Sequence, residues 1–377
     1  MPALPEQLPL LVVSASARAL AQSAARAGLP VVALDLFNDM DVRALAAASC
    51  SVAARNGKFD ARRLLAAAQD LCPPERCGGL IYGSGFEGRT RLLGRLARGR
   101  TLFGNAPDTV ARLKDPTRFF ALLDGLGLAH PETRLDAPVD VSGWLVKRSG
   151  GAGGSHVKPA SRRHRARPQR YFQRLQRGRT LSALFVANGH AACVIGYNEQ
   201  WTAGIAQCAP YCYGGAVSGI SLPQSARARI AAGLDRLVRA TGLVGLNGLD
   251  FILDADGEPR VLEINPRPTA TIDLYDADFE GALLALHLRA CRGELPQIQR
   301  PDGSRAHAIV YAANALRVPS AMNWPQWCTD IPGSGSLIPA GAPLCSVHAQ
   351  AASSTRAREM AMVRRGLMST LLSRKAA

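Results

Sequence analysis

The stretch LNGLDFILDADGEPRVLEINPRPTA, residues 246–270, constrains the fold of this 377-residue chain more than any other. Two runs rich in β-formers flank the turn sequence DADGEP, which predicts a hairpin. Centring the turn between Asp256 and Gly257 sets Asp250 directly across from Glu263. Side chains alternate with period two, so Asn265 shares their face. Like charges opposed on paired strands repel. The neighbours Phe251, Ile252, Leu253, Val261, Leu262 and Ile264 are apolar, so solvent would not relieve that repulsion cheaply, whereas a divalent cation would. Two carboxylates and an amide oxygen are hard donors suited to Mg2+, which completes its octahedron with phosphate oxygens and water. Arg267 and two prolines continue the strand exit. Arg267 is well placed to hold a phosphoryl oxygen or a substrate carboxylate bidentately. The competing reading is an ordinary hairpin with a wet polar face.

Upstream, WLVKRSGGAGGSHVKP (144–159) is an apolar strand that reaches Lys147 and then gives way to Gly150, Gly151, Gly153, Gly154 and Ser155. A Walker loop places its lysine after the glycines, as GxxxxGK[ST]; here the lysine comes first, which rejects a P-loop. The glycines instead suit a lid whose backbone N–H groups face phosphate oxygens. Lys147 and Lys114 form a pair that can neutralise α- and β-phosphates from either side.

LPLLVV (8–13), SASARALAQSAARAG (14–28) and LPVVALDLF (29–37) read as strand, helix and strand, with Gly28 closing the helix and Ser14 or Ser16 capping it. Asp35 ends the second strand where a dinucleotide fold would place its ribose-binding acid. The first turn lacks GxGxxG, which argues against NAD. A helix over 60–70, the strand GGLIYG and the loop SGFEG (84–88) complete a small parallel α/β unit. Two short helices follow in 104–133, then the glycine-loop strand, a strand YFQRLQ, and a hairpin turning at Asn188-Gly189. A helix near 225–241 precedes the acidic hairpin, and another follows near 279–291. Residues 300–350 suggest a small β appendage, and 353–374 a basic amphipathic helix.

Hydrophobic residues make up 47% of the chain, enough for two or three cores. The balance of 45 Lys+Arg against 29 Asp+Glu gives +16, which reads first as an arginine-rich solvated surface. The densest basic run, SRRHRARPQRYFQRLQRGR (161–179), matches no nucleic-acid module. Nine cysteines without zinc-knuckle spacing read as reduced thiols. A short apolar N-terminus without a basic leader, and no run of the ~20 apolar residues a bilayer span needs, point to a cytoplasmic protein with no membrane partner.

Taken in order, these motifs resemble the ATP-grasp superfamily over nearly the whole chain. The matching pieces are Lys114 in RLKDPTRFF, Lys147 before the glycine loop, the hinge-like YFQRLQRG, and Asp250, Glu263 and Asn265 in a D…ExN pattern. The resemblance implies a mixed α/β and α+β fold: a Rossmann-like pre-grasp domain (1–105), a two-subdomain ATP-grasp domain (106–295, lid about 125–180), and a C-terminal β appendage with its tail helix (296–377). It implies ATP with Mg2+, or Mn2+, held by the two lysines, the glycine loop with Ser155, and Gln173 to Gln176 against adenine. That hinge carries no acidic residue, where family members usually have one. Asp250, Glu263 and Asn265 would hold metal, and Arg267 the transferring phosphoryl group. The implied activity joins a small carboxylate to an amine or thiol through an acyl phosphate, with Glu87 and Asp273 as substrate contacts. The segment WPQWCTDIPGSGSLIPAGAPLCSVHA (324–349) further resembles predicted carboligases related to biotin carboxylase, some tied to one-carbon carrier cofactor biosynthesis. Biotin-type carboxylation ranks lower, because RPTATIDLYD (267–276) stands where those carboxylases have Gln-Val-Glu-His. A non-catalytic relic that binds nucleotide or nucleic acid is the remaining alternative. The tail helix can pack on its own domain or on a second copy in a homodimer.

Overall fold

The computed structural model describes residues 7–54, 57–295, 297–298, 303–320 and 322–376. Residues 1–6, 55 and 56 of the expected first domain, and 296, 299–302, 321 and 377 of the expected third, lie outside the described residues.

The first layer is a parallel sheet with spatial order Ala48–Ser51, Val31–Asp35, Leu10–Val13, Gly79–Tyr82, Leu102–Phe103. Every residue of the run LLVV is buried, as both faces are covered by helices. Strand order grows outward in both directions from Leu10–Val13. The carboxyl ends of that strand and of Gly79–Tyr82 therefore splay their loops apart and open a crevice.

The helix Arg18–Arg26 follows, but neither Ser14 nor Ser16 caps it. Its N-cap is Ala17, whose N–H donates to Oδ2 of Asp35 at 3.1 Å. A carboxylate from the adjacent strand end is a stronger partner for a helix N-terminus than a local hydroxyl. Ser16 donates instead to Asp330 at 3.1 Å. Asp35 also accepts from the N–H groups of Phe37 and Asn38, so backbone occupies the acid a dinucleotide fold would reserve for ribose.

The second layer is an eight-stranded antiparallel sheet. Its order is Pro259–Asn265, Val244–Leu253, Arg179–Asn188, Ala192–Thr202, Tyr213–Val217, Ser304–Tyr311, Pro343–Ala351, Cys328–Thr329. The C-terminal strands thus extend the central sheet and do not build a separate layer. The period of two sorts its faces. Leu181, Ala183, Phe185 and Ala187 pack with Ile230, Leu234 and Leu237 of the helix Gln224–Thr241. On the opposite face Leu184 and Val186 pack with Leu283 and Leu284 of the helix Ala282–Cys291. That second face also carries Ser182, Asp250 and Ile252, which no helix covers and which line a cleft.

A four-stranded sheet of Thr133–Arg134, Arg170–Arg174, Trp144–Arg148 and Lys158–Pro159 occupies the segment expected as the lid, with Trp144, Val146 and Phe172 as its small core. The tail helix Ser354–Ala376 packs on its own chain, burying Ala357, Ala361, Met368 and Leu372 in one cluster with the C-terminal strands. All nine cysteines are free thiols. Among the described residues no helix is long and apolar enough to cross a membrane.

Candidate active site

The strands Val244–Leu253 and Pro259–Asn265 pair as Leu253↔Pro259 and Phe251↔Val261, which centres the turn on Asp256. Continued unchanged, that register would set Asp250 against Leu262. A β-bulge between Asp250 and Phe251 takes up Leu262 as an extra residue, and Asp250 pairs with Glu263, Gly248 with Asn265. The sequence reading reaches the same opposition from a turn centre half a residue away; the bulge supplies the difference. Bulges of this kind re-aim side chains beside functional sites.

The acidic side chains form one connected group. Asn265 donates from Nδ2 to Oδ2 of Asp250 at 2.8 Å, and Gln200 donates to the other Asp250 oxygen at 3.0 Å. Lys114, the last residue of the helix Pro107–Lys114, donates to Oδ1 of Asn265 at 2.9 Å and lies 3.3 Å from Oε2 of Glu263. Burial, and then the charge of Glu263, push the Asp250 carboxyl up to about 7. Burial alone would raise Glu263 as well, but Lys114 and Lys147 outweigh it and hold that carboxyl at about 2. Two half-buried carboxylates against one touching ammonium leave the ribbon short of positive charge. The donor set fits a hard divalent cation: two carboxylates and one amide oxygen on one face. No three His, Cys, Asp or Glu side chains among the described residues gather for a metal, so Asn265 is needed as the third donor. A cation taking Oδ1 of Asn265 displaces Lys114 from it.

Lys147 comes from the strand Trp144–Arg148, whose neighbour sets Gln173 beside it, and donates to Oε1 of Gln173 at 2.6 Å. Burial depresses the Lys147 ammonium, against the opposing pull of Glu263 and Asp250. Gln173 is buried and donates onward to Thr133 at 3.2 Å. Gln176 lies past the strand end and donates to the carbonyl of Arg177 at 3.3 Å.

The glycine loop is docked, and packing explains three of its glycines, Gly151 because a Cβ there would strike Cγ of His156. A Cβ on Gly150, at φ +67°, would stand 2.6 Å from Cα of Gly88; one on Gly154, at φ +71°, would strike the carbonyl of Tyr211. Gly153 and Ser155 face outward, and the carbonyl of Gly153 accepts from Tyr213 N–H at 3.0 Å.

Arg267 donates from Nε to Oε1 of Glu87 at 2.6 Å, and both side chains are almost fully buried. Asp273 is held by both terminal nitrogens of Arg18, at 2.6 and 2.5 Å. Each expected substrate-contact carboxylate is therefore already neutralised by an arginine of this chain.

A cleft of about 1150 Å³ gathers the pieces. Lys147, the four loop glycines, Ser155, Gln173, Gln176, the ribbon triad, Arg267, Glu87 and Asp273 all line it; Lys114 reaches it only through its contacts with the triad. Sequence reasoning missed Gln200, Arg18 and Asp330. Gln200 lies two strands from Asp250, on Ala192–Thr202, and nothing local marks any of the three.

Residues 114–271 match the ATP-grasp domain model. The chain carries an ATP-grasp domain. Its architecture is that of ATP-grasp enzymes of known structure. A biotin carboxylase–ATP complex from Campylobacter jejuni superposes with TM-score 0.73 at 11% identity, covering 93% of this chain and 89% of that one. The biotin carboxylase domain dimer of Hydrogenobacter thermophilus 2-oxoglutarate carboxylase, solved with MgADP and bicarbonate, gives 0.71 at 13% identity over 94% and 89%. N5-carboxyaminoimidazole ribonucleotide synthetase from Thermotoga maritima gives 0.67 at 15% identity over 95% and 98%. At these identities the likeness is one of fold. No curated protein matches this chain in sequence.

Proposed function

We propose that the chain is an ATP-dependent ligase that joins a carboxylate to an amine, or less readily a thiol, through an acyl phosphate. The observation that carries this reading is the convergence of Asp250, Glu263, Asn265, Lys147 and Arg267 on one cleft, with Lys114 in contact with the triad. Mg2+ at Asp250, Glu263 and Asn265 would supply charge neutralisation to the triphosphate. Lys114, displaced from Asn265, and Lys147 then neutralise phosphate oxygens, while the glycine loop covers them. Arg267, held in place by Glu87 and by the carbonyl of Pro268, offers the N–H groups left over to the transferring phosphoryl group.

The γ-phosphoryl group passes from ATP to an oxygen of the substrate carboxylate, releasing ADP. The amine nitrogen then attacks the acyl carbon, phosphate leaves, and the nitrogen gives up a proton. No side-chain nucleophile is required; positioning and charge neutralisation do the work. In this reading residues 1–105 carry acceptor-binding loops, 106–295 the nucleotide, and 296–377 complete the sheet. The resemblance of residues 324–349 adds a role in building a one-carbon carrier cofactor.

The test is an ADP-release screen over paired carboxylates and amines, beginning with glutamate in either role. Asp250→Ala and Glu263→Ala should abolish the activity found. Retention by both overturns the site. ADP release that needs bicarbonate but no amine favours a carboxylase. Salt-sensitive oligonucleotide binding without any substrate-dependent ADP release favours a binding relic.

A further inference from the structure

The loops at the carboxyl ends of the parallel strands bring a second set of charges to the same cleft, which the nucleotide chemistry leaves unused. Arg18, 4% exposed, binds Asp273 through two nitrogens and reaches Asp330 through Nε at 3.2 Å. Two nearby acids are satisfied by backbone: Asp35 accepts from Ala17, Phe37 and Asn38, and Asp41 accepts from the N–H groups of Asp330 and Ile331. Asp39 differs. It is 6% exposed and lines the cleft, yet it makes no side-chain cap bond to the helix Met40–Leu45 that it precedes. No hydrogen bond or ion pair to its carboxylate exists among the described residues. Asp39, Asp273 and Asp330 thus set three carboxylates against the single guanidinium of Arg18.

A second group on the cleft wall also lacks a partner. His307 is 3% exposed; its Nε2 meets the hydroxyl of Tyr213 at 2.7 Å, while its buried Nδ1 has none. Burial keeps this ring neutral at ordinary pH, holding it down near 4. Buried polar groups without partners are uncommon in folded proteins, and the unpaired carboxylate of Asp39 asks for a donor. Burial, followed by the charges of Asp330, Asp35 and Asp41, pushes the Asp39 carboxyl up to about 8, although Arg18 opposes the shift. The surroundings of Asp39 are therefore short of positive charge. Lys58 and Arg89 line the cleft too, but Lys58 is exposed and Arg89 is bonded to the carbonyl of Phe59. Leu36 and Phe37, on the same loop as Asp39, line the cleft and offer an apolar wall.

We propose that Asp39 binds the ammonium group of a primary amine whose carbon skeleton lies along Leu36 and Phe37. An ammonium is a compact charge with three donors, which suits a lone carboxylate better than a planar guanidinium does. This rests on the ligase reading for its purpose, since the amine would be the acceptor, but the binding itself needs no ATP.

The test is calorimetry on the full chain in potassium-free buffer, using n-butylamine, 1,4-diaminobutane and benzylamine, each against the alcohol of the same skeleton. At least one amine should bind about tenfold or more tightly than its alcohol. Asp39→Asn should erase that preference, and Asp39→Glu should restore part of it; melting curves report whether each variant folds. If Asp39→Asn fails to fold, the amine–alcohol comparison on the unchanged protein still decides. Equal binding of every amine and its alcohol overturns the proposal, as does an Asp39→Asn variant that keeps the preference. Displacement of the amine by an equal concentration of K+ shows a general cation site and also overturns it. Mg·ATP is titrated separately: amine preference without nucleotide binding supports this site and sinks the ligase reading, whereas nucleotide binding without amine preference sinks this site alone.

Discussion

Arg267 and Glu87 form a buried ion pair at 2.6 Å that ties the exit of the acidic ribbon to a loop of the parallel sheet. Glu87 also accepts from the N–H of Gly85 at 2.8 Å, which fixes the carboxylate from its own loop. The pair spans the two layers of the fold and sets the direction in which Arg267 can reach.

Removing Glu87 leaves a guanidinium buried without its counter-charge. Glu87→Ala should therefore lower the unfolding free energy by about 3–5 kcal/mol, measured by urea denaturation. Arg267→Met with Glu87→Leu, which removes both charges, should recover much of that loss while leaving the protein without ADP release. A double variant as unstable as the single one would contradict the pairing argument.

At the ribbon, stability and function should move in opposite directions. Asp250→Asn removes one of two opposed half-buried carboxylates, so the ligand-free protein should melt no lower than wild type and up to a few degrees higher. The same variant should lose the melting shift that Mg·ATP gives wild type, a gain of about 2.7 kcal/mol at a hundredfold excess over Kd. Differential scanning calorimetry with and without Mg·ATP reads both effects.

The glycine loop offers a graded comparison. Gly153→Ala meets no atom within 4 Å and carries only the strain of φ +66°, about 1–2 kcal/mol. Gly154→Ala carries the same backbone strain and also drives its Cβ into the carbonyl of Tyr211. Nucleotide affinity should fall several-fold more for Gly154→Ala than for Gly153→Ala in fluorescent-nucleotide titration. Equal losses would show that docking on Tyr211 does not matter.

His287 makes a pH prediction with a definite sign. The ring is buried and neutral: Nδ1 accepts from Leu246 N–H at 2.9 Å and Nε2 donates to the carbonyl of Phe103 at 3.1 Å. Burial, partly offset by the bond to Phe103, lowers it from 6.5 to about 4. Between those values the unfolded chain binds the extra proton, so this contribution is complete above about 6.5 and is lost as pH falls towards 4. Asp39, raised from 3.8 to about 8, has the opposite slope across the whole of that range, so the contribution of His287 is read as a difference. The stability gap between wild type and His287→Gln should narrow on acidification by up to about 1.4 kcal/mol per pH unit. A gap independent of pH between 6.5 and 4 would refute the neutral assignment.

Much of the arrangement is legible in the sequence because it is local. Alternation along 246–265 fixes which residues share a face, and DADGEP fixes where the chain turns. Lysine before glycine separates the lid from a Walker loop within one short stretch. What cannot be read there depends on partners far along the chain. The cap on Arg18–Arg26 comes from Asp35 on another strand, and Arg18 finds Asp273 across 255 positions. The half-residue step at Leu262 is invisible to simple counting, since a bulge leaves the alternation on either side intact. The strands Ser304–Tyr311 and Pro343–Ala351 look like an appendage because their pairing with Tyr213–Val217 and with each other carries no signature in a Pro- and Gly-rich region.

That shared sheet limits how the molecule can be trimmed. Clipping the chain ahead of Ser304 would strip three strands at once and bare the amides and carbonyls of Tyr213–Val217 along a raw margin. Such a margin recruits other copies edge to edge. A shortened form lacking the last fifth of the polypeptide should therefore precipitate, however complete its nucleotide-binding portion looks on paper.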